Sequence, residues 1–144
     1  MTQRINHIAI VVEDLESALG FWQDSLGLVA HRESVPEQQV ETALLPLEGS
    51  AIELIQPTSA DSGVARFLAK RGPGIHHLCI QVDDIQTALS ALKGKGIRLI
   101  DESPRRRADG RQYAFNHPES AQGVLVELYQ LLGAADQGVA LPPR

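Results

Sequence analysis

Apolar and polar positions along the chain follow two alternating rhythms. Residues 5–12 and 75–82 are short runs rich in β-branched side chains, which predicts strands. Behind each run an aspartate, Asp14 or Asp84, stands where a helix N-cap belongs. Leu15, Ala18, Leu19, Trp22 and Leu26 then recur at helical spacing, as do Ile85, Ala88, Leu89 and Leu92 over a shorter span. Gly27 closes the first helix, and Gly94 or Gly96 the second. Three further strands are predicted in each half, at about 28–34, 39–47 and 51–56, then at about 97–101, 111–116 and 124–130.

The two halves are copies of one unit. INHIAIVVEDLESAL at 5–19 lies over IHHLCIQVDDIQTAL at 75–89 at a constant offset of 70, so that His7 meets His77 and Asp14 meets Asp84. IELIQ at 52–56 lies over VELYQ at 126–130 at an offset of 74, pairing Glu53 with Glu127. The four extra residues are expected in a longer loop around Pro104 to Gly110. The fold class implied is α+β, two tandem βαβββ units at about 4–57 and 74–131 within a single domain of residues 1–144.

A linking helix is expected at about 61–71, with Val64, Phe67 and Leu68 on its buried face and Gly72, Pro73 and Gly74 stopping it. The tail from Leu131 onward, essentially 132–144, is expected to be a poorly ordered extension.

Polar exceptions inside the apolar strands carry the chemical information. His7 sits among Ile5, Ile8, Ala9 and Ile10, and His77 holds the equivalent place in the second half. Glu53 lies between Ile52 and Leu54, and Glu127 between Val126 and Leu128. Period-two geometry puts His7, Ala9 and Val11 on one face and His77, Cys79 and Gln81 on its counterpart. Four ionisable groups on inner strands are costly to bury without compensation. Two neutral imidazoles and two carboxylates around a divalent cation supply it. Taken singly, such a His is more often a hydrogen-bonded core residue and such a Glu the solvent face of a strand; repetition at matched positions favours the metal reading. His76 points away from the His77 face, and His31 and His117, which have no repeat partner, are assigned surface or supporting roles.

Composition narrows the partners. With 43% hydrophobic and 22% charged residues, the 144-residue chain has the apolar content of a globular domain with its own core. Its formal net charge of −5 argues against nucleic acid, and no run of about 18 apolar residues offers a membrane span. The single cysteine, Cys79, excludes an internal disulfide and suits a reducing, cytoplasmic setting. Basic residues cluster at Arg66, Lys70 and Arg71, and again at Arg105, Arg106, Arg107 and Arg111. Such patches on an acidic chain mark either a small anionic ligand or merely a solvated charged loop.

The stretches NHIAIVV (6–12), PEQ (36–38), IELIQP (52–57), GIHHLCIQVDDI (74–85), HP (117–118) and GVLVEL (123–128) resemble the vicinal oxygen chelate (glyoxalase) superfamily and, within it, the methylmalonyl-CoA epimerases. The resemblance covers about residues 4–131. It implies a mixed-sheet cup around a divalent ion held by His7, Glu53, His77 and Glu127, with Co2+ favoured and Mn2+, Ni2+ or Zn2+ as alternatives. It also implies interconversion of (2R)- and (2S)-methylmalonyl-CoA through an enolate, in propionate metabolism, with Glu127 as one acid/base group. An acyl-CoA partner would place its phosphates and adenine toward Lys70, Arg71, Arg105, Arg106 and Arg107, and a homodimer is the default assembly.

The sequence departs from that pattern in places. Where some relatives carry a second catalytic Glu, this chain has Thr42, and the adjacent Glu41 is turned to the opposite face by its one-residue offset. The segment from Pro104 to Gly110 replaces a Gly-Ala-His-Gly-like loop, and Asn116 replaces a common Leu. Two rival functions therefore stand beside the epimerase: a glyoxalase I-like lactoylglutathione lyase, and a metal-free ligand-binding member of the superfamily.

Overall fold

The computed structural model describes residues 3–132. In chain order the elements are β1 (Arg4–Val11), α1 (Leu15–Leu19), β2 (His31–Val35), β3 (Val40–Leu47), β4 (Ser50–Pro57), α2 (Gly63–Arg71), β5 (Gly74–Gln81), α3 (Ile85–Gly94), β6 (Arg105–Arg106), β7 (Gln112–Phe115) and β8 (Val126–Gln130). Both expected βαβββ repeats are present, with parallel and antiparallel pairings in each, as an α+β assignment requires. No helix among the described residues is long and apolar enough to cross a membrane.

Residues 8–76 form one compact unit, and residues 3–7 with 77–132 form another. In the first, the strand order is β2-β3-β4-β1. β1 runs parallel to β4 with Ala9 opposite Glu53, while β3 and β4 are antiparallel with Leu44 opposite Glu53. The even positions of β1, Ile8 and Ile10, join Leu15, Leu19, Ala43, Leu45 and Leu54 in a core beneath α1. The odd positions face away from α1, and Ala9 packs there with Val35, Val40, Ile55 and Val64. Burial of this apolar surface, at about 25 cal/mol per Å2, is what holds helix to sheet.

The second unit repeats the scheme. β5 is parallel to β8 with Cys79 opposite Glu127, and β7 is antiparallel to β8 with Phe115 opposite Glu127. Val82, Ile85, Leu89 and Ala114 form the core under α3, whereas Cys79, Tyr113, Tyr129 and Leu131 pack on the other face of the sheet.

Helix starts follow the sequence closely. Asp14 accepts from Ser17 N–H at 2.9 Å and Asp84 from Thr87 N–H at 3.1 Å, as N-caps do. A second device repeats with them: the Gln56 side chain accepts from Leu15 N–H at 2.8 Å and the Gln130 side chain from Ile85 N–H at 2.7 Å. The last strand of each repeat thus satisfies a donor at the start of that repeat's helix, which a helix otherwise leaves open.

Several boundaries differ from expectation. The first helix is α only to Leu19 and continues as a π-helical turn over Gly20–Ser25. The linking helix begins at Gly63 rather than near 61, because Ser62 caps it by accepting from Ala65 N–H at 3.0 Å. Its Val64, Phe67 and Leu68 are half-buried rather than buried. The strand expected at 97–101 reduces to a single bridge between Leu99 and Asn116. The expected long loop at 104–110 is instead a tight hairpin between β6 and β7, with β6 at Arg105–Arg106. Most of the extra length lies elsewhere: Leu44 and Glu53 are 9 residues apart, their counterparts Phe115 and Glu127 are 12 apart. A 3-10 turn over Pro118–Ala121 occupies that longer connection. The tail beyond residue 132 lies outside the described residues.

Candidate metal centre

Three of the four residues singled out by the duplication meet in the second unit. His7, near the end of the β1 segment that belongs to it, and His77 on β5 both direct Nε2 at the same carboxylate oxygen. His7 Nε2 lies 3.3 Å from Glu127 Oε1 and His77 Nε2 lies 3.1 Å from it. The two imidazoles stand edge to face with centroids 5.5 Å apart, and the Phe115 ring packs against His77 at 5.3 Å. All three polar side chains are 5% exposed or less.

The tautomer of His7 follows from its neighbours. Asn6 Nδ2 donates to Gln81 Oε1 at 3.3 Å, which leaves Asn6 Oδ1 as the acceptor 2.8 Å from His7 Nδ1. Nδ1 therefore carries the proton in the neutral ring, and Nε2 presents its lone pair toward Glu127. A lone pair facing a carboxylate oxygen at 3.3 Å is repulsive unless a proton or a metal cation lies between them. Orientation of an imidazole through its other nitrogen is the usual arrangement of a metal-binding histidine. The donor set thus fits a divalent ion by its own chemistry.

Cys79 belongs to the same neighbourhood. It is fully buried, stands opposite Glu127 in the ladder, and its sulfur lies within 4.8 Å of a His7 nitrogen and a Glu127 oxygen. In the other repeat the corresponding position is Ala9, opposite Glu53. Period two placed Cys79 and Gln81 on the His77 face; that Asn6 and Gln81 orient His7 was not legible, because the link spans 75 positions of sequence.

Glu53, the fourth residue, sits on β4 of the other unit and is 1% exposed. Thr42 and Glu53 share the face of their sheet that carries Ala9: Thr42 is two residues from Leu44, which lies opposite Glu53. Thr42 is buried with its hydroxyl 3.5 Å from the Glu33 carbonyl, whereas Glu41 is turned to the other face and is only half-buried. His76 stacks edge to face on Phe67 at 4.9 Å, away from the His77 face.

The basic residues divide by environment. Lys70 and Arg71 are exposed in the last turn of α2, with the Arg71 guanidinium 5.5 Å over the Phe67 ring. Arg105 and Arg106 are exposed on β6, Arg105 lying 5.2 Å over the Tyr113 ring. Arg107 and Arg111 are buried.

Residues 6–115 match the family model of the glyoxalase/bleomycin resistance protein/dioxygenase superfamily. The mitochondrial methylmalonyl-CoA epimerase of Homo sapiens is 42% identical over 88% of this chain and 73% of its own length. The ethylmalonyl-CoA/methylmalonyl-CoA epimerase of Cereibacter sphaeroides is 38% identical over 91% of this chain and all of its own. A solved structure of methylmalonyl-CoA epimerase in complex with methylmalonyl-CoA and NH4+ superposes with a TM-score of 0.84 at 34% identity, covering 92% of this chain and 97% of that one. The fold, the matched repeats and these likenesses agree: the chain belongs to the glyoxalase/bleomycin resistance protein/dioxygenase superfamily and, within it, to the methylmalonyl-CoA epimerase family.

Proposed function

We propose that this chain interconverts (2R)- and (2S)-methylmalonyl-CoA by removing and returning the C2 proton of the acyl group. The observation that carries the reading is the convergence of His7 and His77 on Glu127, a buried constellation suited to a cation and to proton transfer beside a carbonyl. Glu53, the repeat counterpart of Glu127, is proposed as the fourth ligand, contributed by β4. Divalent ions fit the set, Co2+ first and Mn2+, Ni2+ or Zn2+ next, since imidazole and carboxylate donors serve all four. Such an ion, when bound, polarises the thioester carbonyl and stabilises the negative charge of the enolate.

The remaining chemistry falls to the side chains. The Glu127 carboxylate accepts the C2 proton, the C–H electron pair passes into the enolate, and reprotonation at C2 from the opposite face inverts the centre. Thr42 has no proton-accepting strength of its own, so the group on the opposite face is a neighbouring water or a residue still to be assigned. Burial of His7, His77 and Glu127 excludes bulk water from the reacting atoms, which strengthens each electrostatic interaction there. Lys70, Arg71, Arg105 and Arg106, exposed and cationic, suit the phosphates of the CoA moiety, and Arg107 completes the second basic cluster. A reducing cytoplasm and a homodimeric assembly complete the proposed setting.

Between the two rival readings, a metal-free binding member has no use for four matched donors. A lactoylglutathione lyase would share the metal chemistry, and the epimerases' 38% and 42% identities over most of this chain weigh against it. Incubation with methylmalonyl-CoA in deuterated water tests the proposal: deuterium is expected at C2 together with loss of optical activity. Absence of exchange with each of the four cations supplied would overturn it, and formation of lactoylglutathione from a glutathione hemithioacetal in a parallel assay would replace it.

A further inference from the structure

Inversion at C2 needs a proton taken from one face of the carbon and another delivered to the opposite face. Glu127 supplies one carboxylate, and strands β5 to β8 carry no other acidic residue. Strands β1 to β4 carry three: Glu33 on β2, Glu41 on β3 and Glu53 on β4. Glu53 is taken up by the ion in the reading above, so the choice for the second group lies between Glu33 and Glu41.

Register separates these two. Glu41 lies opposite Ser34, and Arg32 and Ala43 form the next pair on that side of the sheet, where Ala43 packs beneath α1. Glu33 lies directly opposite Thr42, on the side that carries Glu53. Packing agrees with register: Val35, two residues along β2 from Glu33, meets Ala9, Val40 and Ile55. So does burial, since Arg32 and Ser34 are exposed, Glu33 is half-buried and Val35 is buried. Glu33 is therefore the one carboxylate of β1 to β4 that shares a sheet face with Glu53.

The spacing suits a ligand held between them. Glu33 is two strands from Glu53 across the sheet and two residues away along it, which puts their Cα atoms about 12 Å apart. Two glutamate side chains projecting from the same face leave room in that span for a cation on Glu53 and a carbonyl with its α-carbon beside Glu33. Thr42, on the strand between, is short and buried, and its hydroxyl donates to the Glu33 carbonyl at 3.5 Å. The longer Glu33 side chain can lie over it, the two Cβ atoms being about 4.5–5.5 Å apart as in any cross-strand pair.

We propose that Glu33 is the second acid/base group of the C2 proton transfer. The inference rests on the epimerase reading of the same site and assigns the group which that reading leaves open. With one epimer, the Glu127 carboxylate takes the C2 proton and the C–H electron pair enters the enolate. The Glu33 carboxylic acid then gives its proton to the opposite face of C2, and the O–H electron pair stays on the carboxylate. With the other epimer Glu33 takes the proton and Glu127 returns one. Each turnover moves one net proton between the two carboxylates, and half-burial of Glu33 lets exchange with solvent reset it.

The test incubates cobalt-loaded protein with each epimer of methylmalonyl-CoA separately in deuterated water, following deuterium at C2 and configuration together. Wild-type protein is expected to label and invert both. Glu33→Gln is expected to slow inversion by about 100-fold or more, yet one epimer should still take up deuterium through Glu127 with its configuration retained. The other should keep its proton, an asymmetry that a merely structural role would not produce. Cobalt content should stay at the wild-type level, which separates proton transfer from ligation. Adding Thr42→Glu to Glu33→Gln puts a carboxylate directly across the ladder and should restore part of the inversion, while Glu41→Gln alone should change nothing. If Glu33→Gln fails to fold, Glu33→Asp draws the carboxylate back by one methylene and should slow proton removal from the same epimer selectively. Equal slowing of both epimers, undiminished inversion or loss of cobalt would each overturn the assignment. Wild-type protein that exchanges neither epimer would overturn the epimerase reading, and the role of Glu33 with it.

Discussion

Nε2 of His77 and Oε1 of Glu127 lie 3.1 Å apart, between strands that the sequence separates by 50 positions. Truncating His77 to Ala, or His7 to Ala, is expected to remove bound metal and to lower C2 exchange by about 100-fold or more. Far-ultraviolet circular dichroism should remain that of the wild type, because neither imidazole belongs to the apolar clusters that hold α1 and α3 to their sheets. Elemental analysis of protein purified without chelator checks the first outcome. Wild-type metal content in both variants would sink the ligand assignment.

Asn6 acts on His7 through its Oδ1, 2.8 Å from Nδ1. Asn6→Ala should free the ring to rotate and exchange tautomers, weakening cobalt binding by about 10- to 100-fold while leaving the ligands themselves in place. A competition titration against a chromophoric chelator reads this directly. Unchanged affinity would mean that packing, including the Phe115 contact at His77, orients the rings unaided.

Gln56 and Gln130 offer a test of the duplication at the level of stability. Each accepts a hydrogen bond from the first N–H of its repeat's helix. Replacing either by Ala should cost about 1 kcal/mol in urea unfolding, the cost of a lost cap, without altering metal content. A shift in metal affinity at constant stability would move these residues from the scaffold to the site.

Gly110 is the tightest glycine of the described chain. A Cβ built there would meet Leu132 Cδ2 at 2.9 Å, and φ of +93° disfavours any L side chain. Gly110→Ala is therefore expected to destabilise the protein by about 1–3 kcal/mol, measured as a fall in the urea midpoint. Gly94→Ala, which meets open space at a helix end, is the control and should be near neutral or mildly stabilising.

Cys79 is fully buried and stands where the first repeat has Ala9. It should resist alkylation in the folded protein and react fully in denaturant. Cys79→Ala is expected to retain metal and to cost no more than about 1.5 kcal/mol, because the other repeat already accommodates the smaller side chain. Loss of metal from this variant, seen by elemental analysis, would make the thiol a ligand in its own right.

The sequence by itself determined whatever depends on local periodicity and on the matching of one half to the other. Strand and helix order, the caps at Asp14 and Asp84, and the pairing of His7 with His77 and Glu53 with Glu127 are of this kind, because a two-residue or 3.6-residue rhythm is written in neighbouring side chains. Thr42 and Glu41 fell on opposite faces for the same reason. What depends on residues far apart in the chain was decided only by the tertiary structure. The Asn6–Gln81 link that sets the His7 tautomer, the helix caps supplied by Gln56 and Gln130, and the convergence of two imidazoles on one oxygen of Glu127 all join separate strands or helices. The supposed loop at Pro104 to Gly110 became a hairpin with two buried arginines because β7 supplies the pairing edge for β6, a partnership that no local pattern records.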